Sequence, residues 1–282
     1  MKGSDTVQES SIFHGSGREF CIALRFGGFF MTKVIAHRGA RKRAPQNTIP
    51  AFVLAKEMGA DGFENDVHFT ADGRIVVCHD YAVDETSSGE GRIAEMTFEE
   101  LRSFDFGAWF APEFEGTLIP TLEEFFEVSR GMEIINVEIK RPLDKNYDIV
   151  PAVIDMARDM GVYDSLLISS FDEEVLRKAY EYDAGCETAF LYDFRSSPDH
   201  VDEILADPVA YAKTLHASAI HPVIFFVDED VVKNAHANGM KVNVWTVNET
   251  DTMDLLIDIE CDGIITDVPD LCLERIKLKA GQ

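Results

Sequence analysis

From Lys33 onward, short runs of β-forming residues alternate with amphipathic stretches, and this alternation limits the possible folds more than any other feature of the chain. The runs are Val34–His37, Gly62–Phe69, Ile134–Lys140, Leu166–Ser169, Thr188–Tyr192, Ala219–Pro222, Val242–Val247 and Gly263–Thr266. Parallel strands need long crossover connections, and a helix after each run supplies them. Eight such units predict an α/β fold, the TIM (β/α)8 barrel, and 282 residues are enough for one. Helix punctuation keeps the same phase. Thr48 precedes the apolar set Phe52, Leu54, Ala55 and Met58, with Pro50 in the first turn and Gly59 at the end. Thr121 with Glu124 forms a capping box and Gly131 closes that helix; Ser170 with Glu173 reads as a second box. No repeat of solenoid length is present.

One strand breaks the alternation. Ile75–His79 follows the second run after only Ala71-Asp72-Gly73-Arg74, and Asp-Gly between two β-rich runs signals a hairpin. A two-residue turn at Asp72-Gly73 sets Asp66 opposite His79 and Val77 opposite His68. Glu64 shares the Asp66 face. Two carboxylates and a histidine then meet on one side of a hairpin.

Composition narrows the class of function. Hydrophobic residues at 46% and charged residues at 27% fit an ordinary globular chain. No apolar run reaches the ~20 residues of a membrane span. The five cysteines contain no Cys-x-x-Cys pair, which argues against a zinc ribbon, a redox motif or a disulfide framework and for a reducing, cytoplasmic setting. A net charge of −25 disfavours nucleic acid and anionic membranes as partners and suits a small soluble substrate. The basic cluster Arg38, Arg41, Lys42 and Arg43 is a local exception that suits an anionic ligand.

Residues 1–30 differ from the rest. They are rich in Ser and Gly, and Lys2, Arg18 and Arg25 balance Asp5, Glu9 and Glu19. The apolar stretch from Phe20 to Met31 holds Arg25 and two glycines and reads as neither a span nor a signal peptide. Gly27-Gly28 followed by Phe29-Phe30 is compatible with a ribosome-binding site ahead of a Met31 codon. The expectation is an N-terminal extension outside the fold, followed by one domain over 31–282.

Several residues carry chemistry. Glu64-Asn65-Asp66 puts two carboxylates on one strand face, either as a solvent-facing acidic edge or around a hard cation, because burying them unpaired is costly. Glu138 and Lys140 end an otherwise buried strand, either as a structural pair or as part of a site at the C-terminal end of a barrel strand. His37-Arg38-Gly39 ends the first strand with an acid–base group, an anion-gripping fork and a residue that allows close backbone approach. His79-Asp80 ends the hairpin, with capping of the ring by its neighbour as the alternative. His14, His68, His200, His216, His221 and His236 are expected on the surface or in loops, with His221 the least clear because it ends a strand before Pro222.

Together the segments Val34-Ile35-Ala36-His37-Arg38-Gly39, Pro45-Gln46-Asn47-Thr48, Asp61 to Val67, Val76 to Asp80, Ile119 to Glu124, Val137 to Lys140, Val244 to Asn248 and Asp262 to Asp267 resemble the glycerophosphodiester phosphodiesterase family. The resemblance runs from about Lys33 to the end. It implies a TIM barrel with a small insertion at about 82–116. It implies hydrolysis of glycerophosphodiesters to sn-glycerol 3-phosphate and an alcohol. It also implies one divalent cation, Ca²⁺ or Mg²⁺, held by Glu64, Asp66 and Glu138. His37 and His79 would be the acid–base pair, Arg38 and Lys140 phosphate contacts, and Trp245 an apolar wall for the glycerol portion. The chain departs from the family at Gln46, where a glutamate is usual. If that glutamate supports a basic residue, activity survives with altered phosphate affinity; if it is essential, the enzyme is slow; retention of every other expected site position favours the first. Rival readings are a lysophospholipase D or cyclising phospholipase on the same scaffold, for which Phe104, Phe106, Trp109, Phe110 and Phe114 could form an apolar mouth, although packing the insertion against the barrel is the favoured role of these five, and a catalytically silent phosphate-binding relative.

Overall fold

The computed structural model of the protein describes residues 31–194 and 200–281. The expectations for residues 1–30 lie outside the described residues. The elements alternate as the sequence predicts: β1 (Lys33–His37), α1 (Ile49–Met58), β2 (Gly62–Phe69), β3 (Ile75–Val77), α2 (Phe98–Arg102), α3 (Leu122–Ser129), β4 (Ile134–Ile139), α4 (Ile149–Asp159), β5 (Leu166–Ser170), α5 (Glu173–Tyr182), β6 (Glu187–Tyr192), α6 (Val201–Ala206), α7 (Pro208–Thr214), β7 (Ala219–Pro222), α8 (Glu229–Ala237), β8 (Lys241–Val244), α9 (Thr250–Asp258), β9 (Gly263–Thr266) and α10 (Pro269–Ala280). Eight strands pair in parallel in the order β1-β9-β8-β7-β6-β5-β4-β2, and β1 also pairs with β2, so the ring closes. β3 pairs antiparallel with the outer part of β2 and stands outside the ring.

Most of the core lies between strands and helices. Outward residues of β2 and β4 such as Phe63, Val67, Ile135 and Val137 pack on Phe52 of α1 and on Phe125 and Phe126 of α3, all fully or almost fully buried. The Phe52 and Phe125 rings meet edge-on at 4.7 Å. Each such side chain contributes about 1.5–3 kcal/mol by leaving water. The β1–α1 loop is seated tightly. Gly39 has φ +80°, and a Cβ there would fall 2.6 Å from the Ala51 carbonyl carbon in the first turn of α1. Only glycine satisfies both demands. That contact fixes where Arg38 leaves the strand.

Two local expectations need correction. The hairpin pairs Val67 with Val77 and His68 with Val76, one residue away from the predicted register. The loop has three residues, Ala71-Asp72-Gly73, closed by Thr70 N–H to Arg74 O at 2.9 Å, with Gly73 at φ +77°. This is the three-residue form with a left-handed glycine rather than the two-residue turn. Cys78, not His79, faces Asp66 across the ladder, its N–H donating to Asp66 O at 2.9 Å. At α5, Asp172 caps the helix by accepting from Glu174 N–H, while Ser170 Oγ donates to Ile139 O. The box at Thr121 and Glu124 is present, and a second one at Thr97 and Glu100 starts α2.

Between β3 and α3 the chain builds a satellite layer. Val83, Ile93, Leu101, Phe106 and Ile119 close over Val76 and Cys78 in a small core of their own. Phe106 is buried in that core and Phe104 packs against it, while Trp109, Phe110 and Phe114 contact one another. Among the described residues, no helix is long and apolar enough to cross a membrane.

Candidate active site

The strands deliver their chemistry at the C-terminal rim of the ring. Registers set His37 beside Glu64 and Asp66 beside Glu138. Glu64 and Asp66 share the inward face of β2, and Glu138 ends β4, so three carboxylates converge with ligand oxygens all within 4.8 Å of one another. All three are buried. Two cations are threaded between them. Lys140 Nζ lies 2.8 Å from Asp66 Oδ1 and 2.5 Å from Glu138 Oε1. Arg38 Nε lies 3.2 Å from Asp66 Oδ2, and the Arg38 backbone N–H donates to Glu64 Oε2 at 3.1 Å. Asn47 Nδ2 donates to Asp66 Oδ2 at 2.7 Å.

The electrostatics divide the three acids. Burial works against the charge of Asp66, but Lys140, Arg38 and His79 outweigh it and hold its carboxyl well below the usual range. Burial, with Asp66 adding repulsion, lifts Glu64 well above that range. Burial also raises Glu138 to about 7, against the pull of Lys140. Lys140 and Arg38 stay charged because the carboxylates overcome their desolvation. Fully ionised, the three acids would carry one charge more than the two side-chain cations offset. An all-oxygen, buried donor set that becomes net negative only on full ionisation fits a hard divalent cation.

Both histidines have a carboxylate behind them. His37 Nδ1 lies 2.7 Å from Asp267 Oδ1, and Asn248 holds Asp267 by donating from Nδ2 to Oδ2 and accepting from its backbone N–H, each at 2.9 Å. His37 Nε2 is left 3.9 Å from Glu64 Oε2. His79 Nδ1 lies 2.7 Å from Asp80 Oδ1. A carboxylate that accepts Nδ1–H fixes the tautomer and leaves Nε2 for proton transfer. Burial is the main cause that lowers both rings, His37 to about 4, so both are neutral near pH 7. His79, Glu138, Lys140 and Phe171 line a pocket of about 240 Å³.

Of the residues singled out in the sequence, His37, Arg38, Glu64, Asp66, His79, Glu138 and Lys140 are therefore brought to one place. Trp245 stands further out. Its ring meets Phe171 edge-on at 5.5 Å, and its Nε1 donates to His221 O at 2.7 Å. Gln46 Oε1 accepts from Arg38 Nη1 at 2.9 Å, so the residue that departs from the family pattern supports a basic group. None of the five aromatic residues lines the pocket beside His79 and Glu138, and Phe104 and Phe106 instead pack in the core of the insertion. His68 and His221 are not on the surface or in loops: both sit on strands and are buried. Asp267, Asn248 and Asn47 were not singled out individually. The available signal was a polar residue just past a barrel strand, where functional groups collect.

A profile of the glycerophosphoryl diester phosphodiesterase family matches residues 37–271. A glycerophosphodiester phosphodiesterase of Caldanaerobacter subterraneus subsp. tengcongensis is 36% identical over 247 residues, covering 87% of this chain and 98% of the relative. One of Bacillus altitudinis is 33% identical over 85% of this chain and 96% of its own. Among solved structures, an Oleispira antarctica phosphodiesterase in complex with the product sn-glycerol-3-phosphate superposes with a TM-score of 0.78 at 27% identity, over 88% of this chain and 98% of that one. Barrel, site geometry and relatives agree, and the chain belongs to the glycerophosphoryl diester phosphodiesterase family.

Proposed function

We propose that this phosphoric diester hydrolase cleaves small glycerophosphodiesters to sn-glycerol 3-phosphate and an alcohol, using one divalent cation and the pair His37 and His79. The observation that carries the reading is the convergence of three buried carboxylates with two carboxylate-backed histidines at one rim of the barrel. Glu64, Asp66 and Glu138 would hold the cation, Ca²⁺ or Mg²⁺, which when bound supplies positive charge against the phosphoryl oxygens. Arg38 and Lys140 add fixed positive charge beside the same oxygens and cost no reorganisation during the reaction. One histidine takes a proton from the attacking hydroxyl or water at Nε2 while the other gives one to the leaving oxygen. Asp267 and Asp80 hold the two rings in the tautomer that permits this. The Trp245 and Phe171 side offers an apolar surface to the glycerol carbons. A net charge of −25 and the absence of a spanning helix among the described residues support a small substrate handled away from the bilayer. Cysteines 78, 186, 261 and 272 are free, which supports a reducing, cytoplasmic setting.

The test is release of glycerol 3-phosphate from glycerophosphocholine with Ca²⁺ or Mg²⁺, before and after EDTA. Turnover that needs the cation and is lost in His37→Ala and His79→Ala supports the reading. Full turnover in EDTA overturns the metal part of it.

A further inference from the structure

A second, larger cavity of about 660 Å³ opens beside the catalytic pocket. One wall comes from the outer end of β2, a second from the segment after β3, and a third from the loop after β4. The two cavities share Tyr81, Lys140 and Arg141. Their partition is narrow. Tyr81 Oη donates to Arg141 O at 3.0 Å, which ties the second wall to the third. Tyr81 also rests edge-on against the His68 ring at 5.0 Å. His68 is buried, and its Nε2 lies 3.2 Å from the backbone oxygen of His79. The partition therefore stands on the residue next to a proposed proton carrier.

A phosphodiester has two organic halves, and the catalytic pocket, at about 240 Å³, is small for both. Ligand pockets usually run to ~300–1,000 Å³. If the glycerol half lies toward Phe171 and Trp245, the other half points across Lys140 toward Tyr81, where the crevice begins. The lining indicates which alcohols it suits. The lining carries three charges of each sign, Arg92, Lys140 and Arg141 against Glu95, Asp144 and Asp148. Opposite charges at one rim attract neither a cation nor an anion strongly. Together with the Tyr81 hydroxyl, they accept and donate hydrogen bonds as a set of hydroxyl groups requires. Leu143 and Phe69 add apolar surface for ring carbons.

We propose that this crevice is the subsite for the leaving alcohol and that it selects uncharged, hydroxyl-rich alcohols larger than glycerol, of the cyclic polyol type. The proposal rests on the phosphodiesterase reading above. Steady-state kinetics on the full chain test it with three diesters of glycerol 3-phosphate: those of inositol, choline and methanol. The inositol diester should exceed the choline diester in kcat/KM by roughly tenfold, a difference that a few hydrogen bonds supply. Ala94→Trp and Leu143→Trp place an indole into the crevice from opposite walls, both from exposed positions. Each should raise KM for the inositol diester roughly tenfold and leave the methyl diester within about twofold. Equal loss on both substrates in both variants, no loss on either, or a preference for choline overturns the subsite. Failure to release glycerol 3-phosphate from any of the three diesters instead overturns the functional reading on which it rests.

Discussion

The two histidines of the site are held in contrasting ways. His37 ends a strand inside the ring, and its partner Asp267 is 8% exposed in its side chain and pinned by Asn248. His79 lies just past the hairpin in a loop, and its partner Asp80 is 42% exposed. One half of the site is thus built from the closed barrel, and the other from a segment added outside it. The barrel half has its geometry set by strand register. The outer half has a partly solvated carboxylate, a large crevice and a wall made of one tyrosine. Strand register thus positions one histidine, and a loop outside the ring positions the other.

The strongest way to break this comparison is to remove what both halves share. Asp66 touches Arg38, Lys140 and Asn47. Asp66→Ala, like EDTA, should lower turnover by about 10³-fold or more, equivalent to roughly 4 kcal/mol of barrel-mouth charge stabilisation. The fold should survive, because two carboxylates then face two cations. A melting temperature many degrees below wild type would refute this balance. Next come the halves themselves. His37→Ala and His79→Ala should each cost about 10²–10⁴ in kcat. Asp267→Asn should then cost at least about ten times more than Asp80→Asn, because a solvated carboxylate is easily replaced by water and a buried one is not. Equal losses in the two asparagine variants would erase the distinction drawn between the halves.

A third prediction concerns stability on the barrel side. Burial holds the His221 imidazole down at about 3, against 6.5 in water. The folded pKa is depressed, so the neutral ring favours the fold above about pH 6.5, and that contribution is lost as pH falls toward 3. At pH 5 the loss is about 2 kcal/mol. His221→Gln should flatten the fall in melting temperature between pH 7.5 and 5; an unchanged fall would remove His221 from the acid sensitivity. The smallest effect is expected at Gln46. Gln46→Glu adds a charge beside Arg38 and should change KM by only a few fold, since the hydrogen bond to Arg38 is already made. A change of more than about a hundredfold would show that the glutamine limits catalysis.

The barrel was legible because its strands are buried on both faces and its helices carry clear caps. The eight runs read from the sequence agree with the eight ring strands to within a few residues. The three carboxylates were legible as charges in places where burial is expensive. The hairpin register was not. Asp72-Gly73 suits a two-residue or a three-residue loop, and the choice depends on whether Thr70 or Ala71 closes it. His79 still reaches the carboxylates, but through the bend after β3 rather than by facing Asp66. Asp267 was hidden for a different reason. Its meaning depends on a histidine 230 residues away, and no local pattern reports such a pairing. The crevice was hidden for the same reason, since its walls come from three separate segments.

That long-range pairing also orders events in time. His37 belongs to the first strand and Asp267 follows the last, so the dyad exists only once β9 has inserted beside β1. Contacts of such high sequence separation form late, after much loop-closure entropy has been overcome. A growing chain on the ribosome therefore carries His37, the three carboxylates and His79 long before it carries Asp267. In refolding, recovery of full turnover should trail recovery of helical signal, and enzyme activity itself then reports closure of the ring.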